Sequence, residues 1–103
     1  MTGISPGKNE IVKRLRIHMQ DLRARGISHA YLFGSLARDE QTPDSDIDIA
    51  IMIDPERQIG LTGLASLQRQ LSELLGAKAD IVTLPVRKER LRRTLEREAI
   101  RAF

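Results

Sequence analysis

The segment Asp46–Ile53 constrains the fold more strongly than any other part of this sequence. It reads DIDIAIMI, with isoleucine at every second position. Because side chains alternate between the two faces of a β-strand, the isoleucines point together into a hydrophobic core. Asp46 and Asp48 then share the opposite face. The segment therefore predicts a buried strand that carries two carboxylates at its beginning.

Apolar spacing elsewhere predicts helices on either side of further strands. Asn9 is the predicted N-cap of the first helix, and Gly26 is its predicted C′ residue. The element order is α-β-(α)-β-α-β-α, where the bracketed element is a short helical turn at residues 35–39. This order predicts an α/β fold of the α+β type, a small mixed sheet of three to four strands with helices packed against it. The predicted helices cover residues 9–25, 61–75 and 87–102, and the predicted strands cover residues 30–33, 46–53 and 79–84.

The composition limits the class of protein. A chain of 103 residues is expected to form a single domain, 1–103, around one core. The sequence contains no cysteine, which excludes disulfides and thiolate metal sites. No apolar run approaches the roughly 20 residues of a membrane span, and the N-terminus lacks the apolar stretch of a signal peptide. A cytoplasmic location is therefore expected.

Charge is unevenly distributed along the chain. Residues 27–84 carry nine acidic and four basic side chains, whereas the segments on either side are net positive. An acidic centre suits a divalent cation better than a phosphate backbone. The basic ends are interpreted as solvated helix faces. Only Tyr31, Phe33 and Phe103 are aromatic, so direct nucleic-acid binding through base stacking is not expected.

Three sequence features are candidates for chemistry. Asp46 and Asp48 would repel one another unless a cation such as Mg²⁺ lay between them. Gly34 and Ser35 follow a predicted strand, where a tight turn could offer N–H groups and a hydroxyl to a phosphate. Asp80 is a charged residue within an apolar strand, which requires an ion pair or a metal. Taken singly, these features are also explained by solvated acids, an ordinary turn and an arginine ion pair.

A calcium-binding loop is the nearest alternative for the acidic segment. Asp44, Asp46 and Asp48 have the spacing with which an EF-hand loop begins. The sixth position of such a loop is glycine and here is Ile49, and the twelfth is glutamate and here is Pro55. The EF-hand interpretation is therefore excluded.

Together, these motifs resemble the polymerase-β-like nucleotidyltransferase superfamily. The stretch LFGSLAR at 32–38 is followed by SDID at 45–48, and residues 36–45 separate Ser35 from Asp46. That spacing resembles the minimal nucleotidyltransferases encoded beside HEPN-domain proteins as toxin–antitoxin pairs. The strand ADIV at 79–82 is similar to the strand that carries the third carboxylate in this family. The resemblance covers nearly the whole chain and implies the nucleotidyltransferase fold.

The resemblance implies transfer of a nucleotide from a nucleoside triphosphate, with ATP as donor, to an acceptor oxygen. Asp46, Asp48 and Asp80 would be the catalytic residues and the ligands of two Mg²⁺ ions, and Asp80 would also act as base. Gly34 and Ser35 would hold the β- and γ-phosphates. Arg38 and Ser45 also occupy motif positions on the nucleotide side. Arg38 would either contact a phosphate or pair with an acid, for which the sequence offers Asp39, Asp44 and Asp48.

The resemblance further implies a partner. No substrate-binding domain is expected in the chain, so the acceptor would belong to another molecule. The leading hypothesis is an antitoxin that transfers AMP to a tyrosine of a HEPN ribonuclease toxin. One alternative is an antitoxin that acts only by contact, through exposed apolar residues such as Ile17, Val86, Ile100 and Phe103. Another is a transferase for small molecules of the aminoglycoside type.

Overall fold

The computed structural model describes residues 7–103. Within this part of the chain no helix is long and apolar enough to cross a membrane. Four helices and four strands follow one another in this order: α1 (Lys8–Ile17), α2 (Met19–Ala24), β1 (Ile27–Phe33), β2 (Ile47–Ile53), α3 (Leu61–Leu75), β3 (Ala79–Leu84), α4 (Glu89–Glu98) and β4 (Ile100–Arg101).

The strands form one mixed sheet in the order β3-β2-β1-β4. β1 pairs antiparallel with both β2 and β4, whereas β2 and β3 are parallel. A parallel pair needs a crossover connection, and α3 supplies it between β2 and β3. The predicted fold class, a small mixed sheet with helices packed against it, is confirmed.

The two faces of the sheet are covered unequally. The face that carries the β2 isoleucines packs against α1, α2 and α3, and this is the main core. The opposite face carries a smaller cluster, in which Phe33 and Ala50 pack against Leu95 of α4. Each large apolar side chain buried in this way contributes about 1.5–3 kcal/mol. Because only this small cluster covers the opposite face, the face with the carboxylates remains partly open.

The predicted first helix is two helices. The backbone leaves the helical conformation at His18 (φ −97°, ψ 13°), although the apolar spacing continues across this residue into α2. Spacing alone could not reveal this break. The N-cap of α1 is Gly7 rather than Asn9, and no side chain caps the helix. Gly26 follows α2 with a positive φ of 108°, which confirms its predicted position.

The predicted helix over 87–102 is also shorter. α4 ends at Glu98, Ala99 is extended, and β4 pairs with β1. Pairing of β4 with β1 satisfies backbone groups that the β1 edge would otherwise leave open. Phe103 is buried in the main core and Ile100 packs against it, so neither is an exposed interface residue. Ile17, by contrast, is 66% exposed. The first helical segment begins at 8 and ends at 24 rather than 9 and 25, and α4 begins at 89 rather than 87. β1 begins at 27 rather than 30, and β2 begins at 47 rather than 46.

Candidate active site

Asp48 and Asp80 lie side by side on the partly covered face of the sheet. They are register partners in the parallel pair β2–β3, so their side chains point to the same side. The pKa of Asp48 is raised above its ordinary value, chiefly by burial and then by the negative charge of Asp80. The sequence placed these residues on two predicted strands. The parallel register brings them together.

Asp46 lies near the same face, just before β2 begins. It precedes β2 by one residue, and its Oδ2 is 3.9 Å from Nζ of Lys78. Its charge also raises the pKa of Asp48, which shows that the two carboxylates are close enough to interact. Asp46 and Asp80 therefore both lie near Asp48, although the three side chains do not converge closely enough to form a metal site by themselves.

Gly34 lies immediately beside Asp48, on the β1 side. Phe33 is the register partner of Asp48, and Gly34 follows it with a φ of +81°. A Cβ at residue 34 would overlap the Asp48 carboxylate, with the Asp48 Cγ only 3.0 Å away. Both the positive φ and this close approach require glycine. The motif glycine therefore allows the backbone after β1 to reach the carboxylates.

Residues 35–39 form a single turn rather than a helix. The Arg38 N–H donates to the carbonyls of Gly34 and Ser35, each at 3.2 Å, and the Asp39 N–H donates to the Leu36 carbonyl at 3.1 Å. The expected short turn is therefore present. It has no helical body to provide a dipole, so an anion here would depend on individual N–H groups and side chains.

Arg38 is held between two glutamates. Its Nε donates to Glu40 Oε1 at 2.7 Å, and its Nη1 donates to both oxygens of Glu98, at 2.9 and 3.1 Å. These hydrogen bonds raise the pKa of Arg38. The sequence had offered Asp39, Asp44 and Asp48 as ion-pair partners, but the direct partners are Glu40 and Glu98. The Arg38 charge still lowers the pKa of Asp48.

Glu98 is the residue that sequence reasoning missed. It is the last residue of α4, and its side chain is only 14% exposed. Besides contacting Arg38, its Oε1 accepts a hydrogen bond of 3.4 Å from the Gly34 N–H. Glu98 is 64 residues away from Gly34 in the sequence, and no spacing rule links residues so far apart. Only the packing of α4 on this face reveals its position.

Ser45 stabilises the loop that leads into β2. Its Oγ accepts a hydrogen bond of 2.9 Å from the Thr42 N–H and lies 3.1 Å from the Thr42 hydroxyl. The Ser45 N–H also donates to the Thr42 carbonyl at 3.0 Å. The structure therefore shows Ser45 closing a turn just before Asp46.

The carboxylates have the donor chemistry that Mg²⁺ prefers, because they are hard oxygen ligands of like charge. Burial and mutual repulsion raise the pKa of Asp48, and a divalent cation would relieve that repulsion. Among residues 7–103, however, no three acidic, histidine or cysteine side chains converge closely enough to hold a metal by themselves. A site on this face would therefore need the three aspartates to be completed by oxygens from another molecule, such as a phosphate.

An apolar groove of about 310 Å³ lies on the same face of the sheet, and its lining includes Ala50, two residues after Asp48 on β2, but none of the three aspartates. Its floor comes from strands β1, β2 and β3, and α4 forms one wall. The groove can accommodate a flat or apolar group. Its lining includes Tyr31, Ala50, Met52, Leu84, Leu95 and Ala99.

Replacing Asp48 with Asn is expected to raise the free energy of unfolding at pH 7. Folding raises the pKa of Asp48 above its ordinary value of 3.8. The Asp48 carboxyl therefore favours the folded state fully only below the unfolded pKa, and this contribution to stability is lost as pH rises through the folded pKa. The ionised carboxyl therefore destabilises the metal-free protein at neutral pH. We expect a gain of about 0.5–1 kcal/mol that disappears towards pH 3, measured by urea unfolding with EDTA.

A suitable control is Asp44→Asn, which removes the same charge from an exposed turn residue. This variant should change stability little at either pH. A metal-free Asp48→Asn protein that is less stable than the native chain at pH 7 would contradict the interpretation.

The family is shown by comparison with known proteins. Residues 18–102 match the model of the family described as polymerase beta, nucleotidyltransferase. The chain belongs to this family and is a nucleotidyltransferase.

Two relatives agree with this assignment. The protein adenylyltransferase MntA of Thermococcus cleftensis is 35% identical over 92 residues, which cover 88% of this chain and 91% of that protein. A protein of Methanocaldococcus jannaschii, provisionally named protein adenylyltransferase MJ0126, is 42% identical over 76 residues, covering 73% and 76% of the two chains.

Solved structures share the fold. An antitoxin–toxin structure with AMP-PNP aligns with a TM-score of 0.70 at 24% identity, over 87% of this chain and 72% of that chain. A Shewanella oneidensis structure of a minimal nucleotidyltransferase antitoxin with a tri-AMPylated HEPN toxin aligns with a TM-score of 0.65 at 20% identity, over 90% and 71%. At these identities the two structures support the fold.

Proposed function

We propose that this chain is a Mg²⁺-dependent protein adenylyltransferase, a single minimal domain that transfers AMP from ATP to a tyrosine of a HEPN-domain toxin and thereby acts as its antitoxin. Two relatives carry the name protein adenylyltransferase. One structure of the same fold contains an AMPylated HEPN toxin beside its antitoxin. Such a reaction forms a bond between the tyrosine oxygen and the α-phosphorus, releases pyrophosphate, and frees the hydroxyl proton.

Gly34, Ser35 and Arg38 would hold the β- and γ-phosphates, and we call these three residues the phosphate cradle. Gly34 contributes its backbone N–H, Ser35 its hydroxyl, and Arg38 its guanidinium. The turn at 35–39 holds them next to Asp48. Ser45 would act indirectly in this scheme, by fixing the loop before Asp46.

The observation that carries the proposal is the order of groups across the sheet. Asp48 on β2 lies between Asp80 on β3 and Gly34 at the end of β1. Adjacent strands are about 4.8 Å apart, so Asp80 and Gly34 flank Asp48 on opposite sides. Displacement at phosphorus needs the acceptor and the leaving group roughly in line. A pyrophosphate leaving towards Gly34 therefore faces an acceptor that arrives beside Asp80.

Asp46, Asp48 and Asp80 would be the metal ligands, together with phosphate oxygens. Bound Mg²⁺ supplies charge neutralisation on the triphosphate and lowers the pKa of an attacking hydroxyl. Asp80 is exposed at the sheet edge, where it can accept the proton from an acceptor hydroxyl. Asp48 is half-buried between Asp80 and Gly34 and is expected to contribute most to the charge that binds the metal.

The test is incubation of the chain with its HEPN partner, Mg²⁺ and each nucleoside triphosphate in turn, followed by intact-mass measurement of the partner. We expect adenylyl additions to the partner with ATP and with no other nucleoside triphosphate. These additions should be lost when the acceptor tyrosine is changed to phenylalanine. Additions should also disappear when EDTA replaces Mg²⁺. Neutralisation of the toxin by a stable complex without any mass change would overturn the proposal and identify an antitoxin that acts by contact.

A further inference from the structure

Glu98 occupies the phosphate cradle in the nucleotide-free chain. Its carboxylate accepts hydrogen bonds from the Gly34 N–H and from Nη1 of Arg38. These two donors are also the ones that a phosphate would use. A carboxylate resembles a phosphate in charge and in its ability to accept a bidentate contact from arginine. The cradle is thus already filled by an anion that belongs to the chain.

The contacts of Glu98 allow its carboxylate to dissociate from the phosphate cradle. It lies close enough to the aspartates for its charge to raise the pKa of Asp48. Arg38 holds it, but this arginine is shared with Glu40. The hydrogen bond from Gly34 is long, at 3.4 Å. Glu98 is therefore paired well enough to be ordered, but it adds negative charge to a site that is already acidic.

We propose that Glu98 is a specificity-determining residue that competes with phosphate groups for the cradle. An anion held only by the cradle must displace Glu98 without further compensation. A nucleoside triphosphate has additional contacts, at the carboxylates and in the apolar groove, that offset this displacement. Glu98 thus weakens the binding of free phosphate and pyrophosphate more than it weakens the binding of the intact donor.

The same competition assists product release. When the bond between the α-phosphorus and the leaving oxygen breaks, pyrophosphate loses its attachment to the nucleoside and is held only by the cradle and any metal. Glu98 can then return to Gly34 and Arg38. This consequence rests on the proposed function, since it assumes that pyrophosphate leaves from the cradle.

The test measures binding of inorganic pyrophosphate by calorimetry, in buffer with EDTA, to the native chain and to Glu98→Gln. Removing one negative charge at contact distance from the ligand is expected to tighten binding by about tenfold. The matched control is Glu89→Gln on the same helix, which removes a comparable carboxylate–arginine pair (Glu89 with Arg93, 2.8 Å) away from the cradle. This control should bind pyrophosphate as the native chain does.

Three results would overturn the inference: unchanged affinity in Glu98→Gln, weaker affinity, or no binding by either protein. Weaker affinity would mean that Glu98 supports the cradle by orienting Arg38. The native chain provides a second measurement that needs no variant. Added pyrophosphate should shift the NMR signals of both the Gly34 amide and the Glu98 carboxyl carbon. A shift of the Gly34 amide alone would contradict displacement of Glu98.

A parallel titration separates this inference from the proposed function. The probe is the ATP analogue with a methylene group between the α- and β-phosphorus, added with Mg²⁺. If neither protein binds the analogue, the proposed nucleotide site is wrong. If both bind it while pyrophosphate affinity is unaffected by Glu98→Gln, the proposed function stands and only the role of Glu98 is rejected.

Discussion

Changing Asp48 to Asn should reduce adenylyl transfer by about 10³-fold or more while the protein remains folded. Asp48 lies between Asp80 on β3 and Gly34 at the end of β1, so it adjoins both halves of the proposed site. An amide is similar in size but has no charge with which to hold a divalent cation. Metal ions stabilise such transition states by several kcal/mol, and each 1.36 kcal/mol corresponds to about tenfold in rate.

The measurement is the initial rate of partner modification, followed by intact mass at saturating ATP and Mg²⁺. Asp44→Asn is the control, because it removes the same charge from the exposed turn before β2 and should keep most of the activity. The Asp48→Asn variant is also expected to be at least as stable as the native chain at pH 7. A folded Asp48→Asn protein that retains a tenth of the native rate would show that Asp48 is not a catalytic residue.

Gly34→Ala should produce a large loss of stability. The new methyl group would overlap the Asp48 carboxylate, and alanine would have to adopt a φ of +81°. The strained backbone costs about 1–2 kcal/mol, and displacement of Asp48 and its strand adds to this value. We expect a loss of about 2–4 kcal/mol in the free energy of unfolding, together with loss of nucleotide binding.

Gly60→Ala is the matched control for this prediction. Gly60 has a negative φ of −82°, and a Cβ there would meet no atom within 4 Å. Gly60 is the N-cap of α3, where alanine is less favourable than glycine, so the loss of stability in urea unfolding should be at most about 1 kcal/mol. Nucleotide binding measured by calorimetry should be nearly unchanged. Equal stability of the two alanine variants would show that Gly34 does not approach Asp48 as closely as the structure indicates.

Elements with a regular hydrophobic pattern could be predicted from the sequence. The leucine spacing of α3 and the apolar run of β3 predicted bounds that the structure reproduces, 61–75 and 79–84. The break at His18 and the strand β4 could not be predicted in this way. Both depend on backbone conformation: His18 interrupts a continuous apolar stripe, and β4 has only two residues. A two-residue strand is too short to show an alternating pattern.

The sequence by itself determined which residue types were available for chemistry. Asp46 and Asp48 belong to one alternating segment, and the Gly34-Ser35 turn follows another apolar segment, because local periodicity and turn chemistry depend on neighbours in the chain. Asp80 was evident as a charge in an apolar strand, but its exposure on the edge strand β3 shows that it does not need an ion pair or a metal to be tolerated there. These features were enough to indicate a site for a metal-bound phosphate compound and to support the resemblance to a family.

Only the tertiary structure decided how these residues meet. The parallel register of β2 and β3 puts Asp80 beside Asp48, and the antiparallel register of β1 puts Gly34 on the other side. The packing of α4 on the carboxylate face brings Glu98 to Gly34 and Arg38. The physical reason is that strand register and helix docking depend on burial of apolar faces between distant segments, which local sequence does not specify.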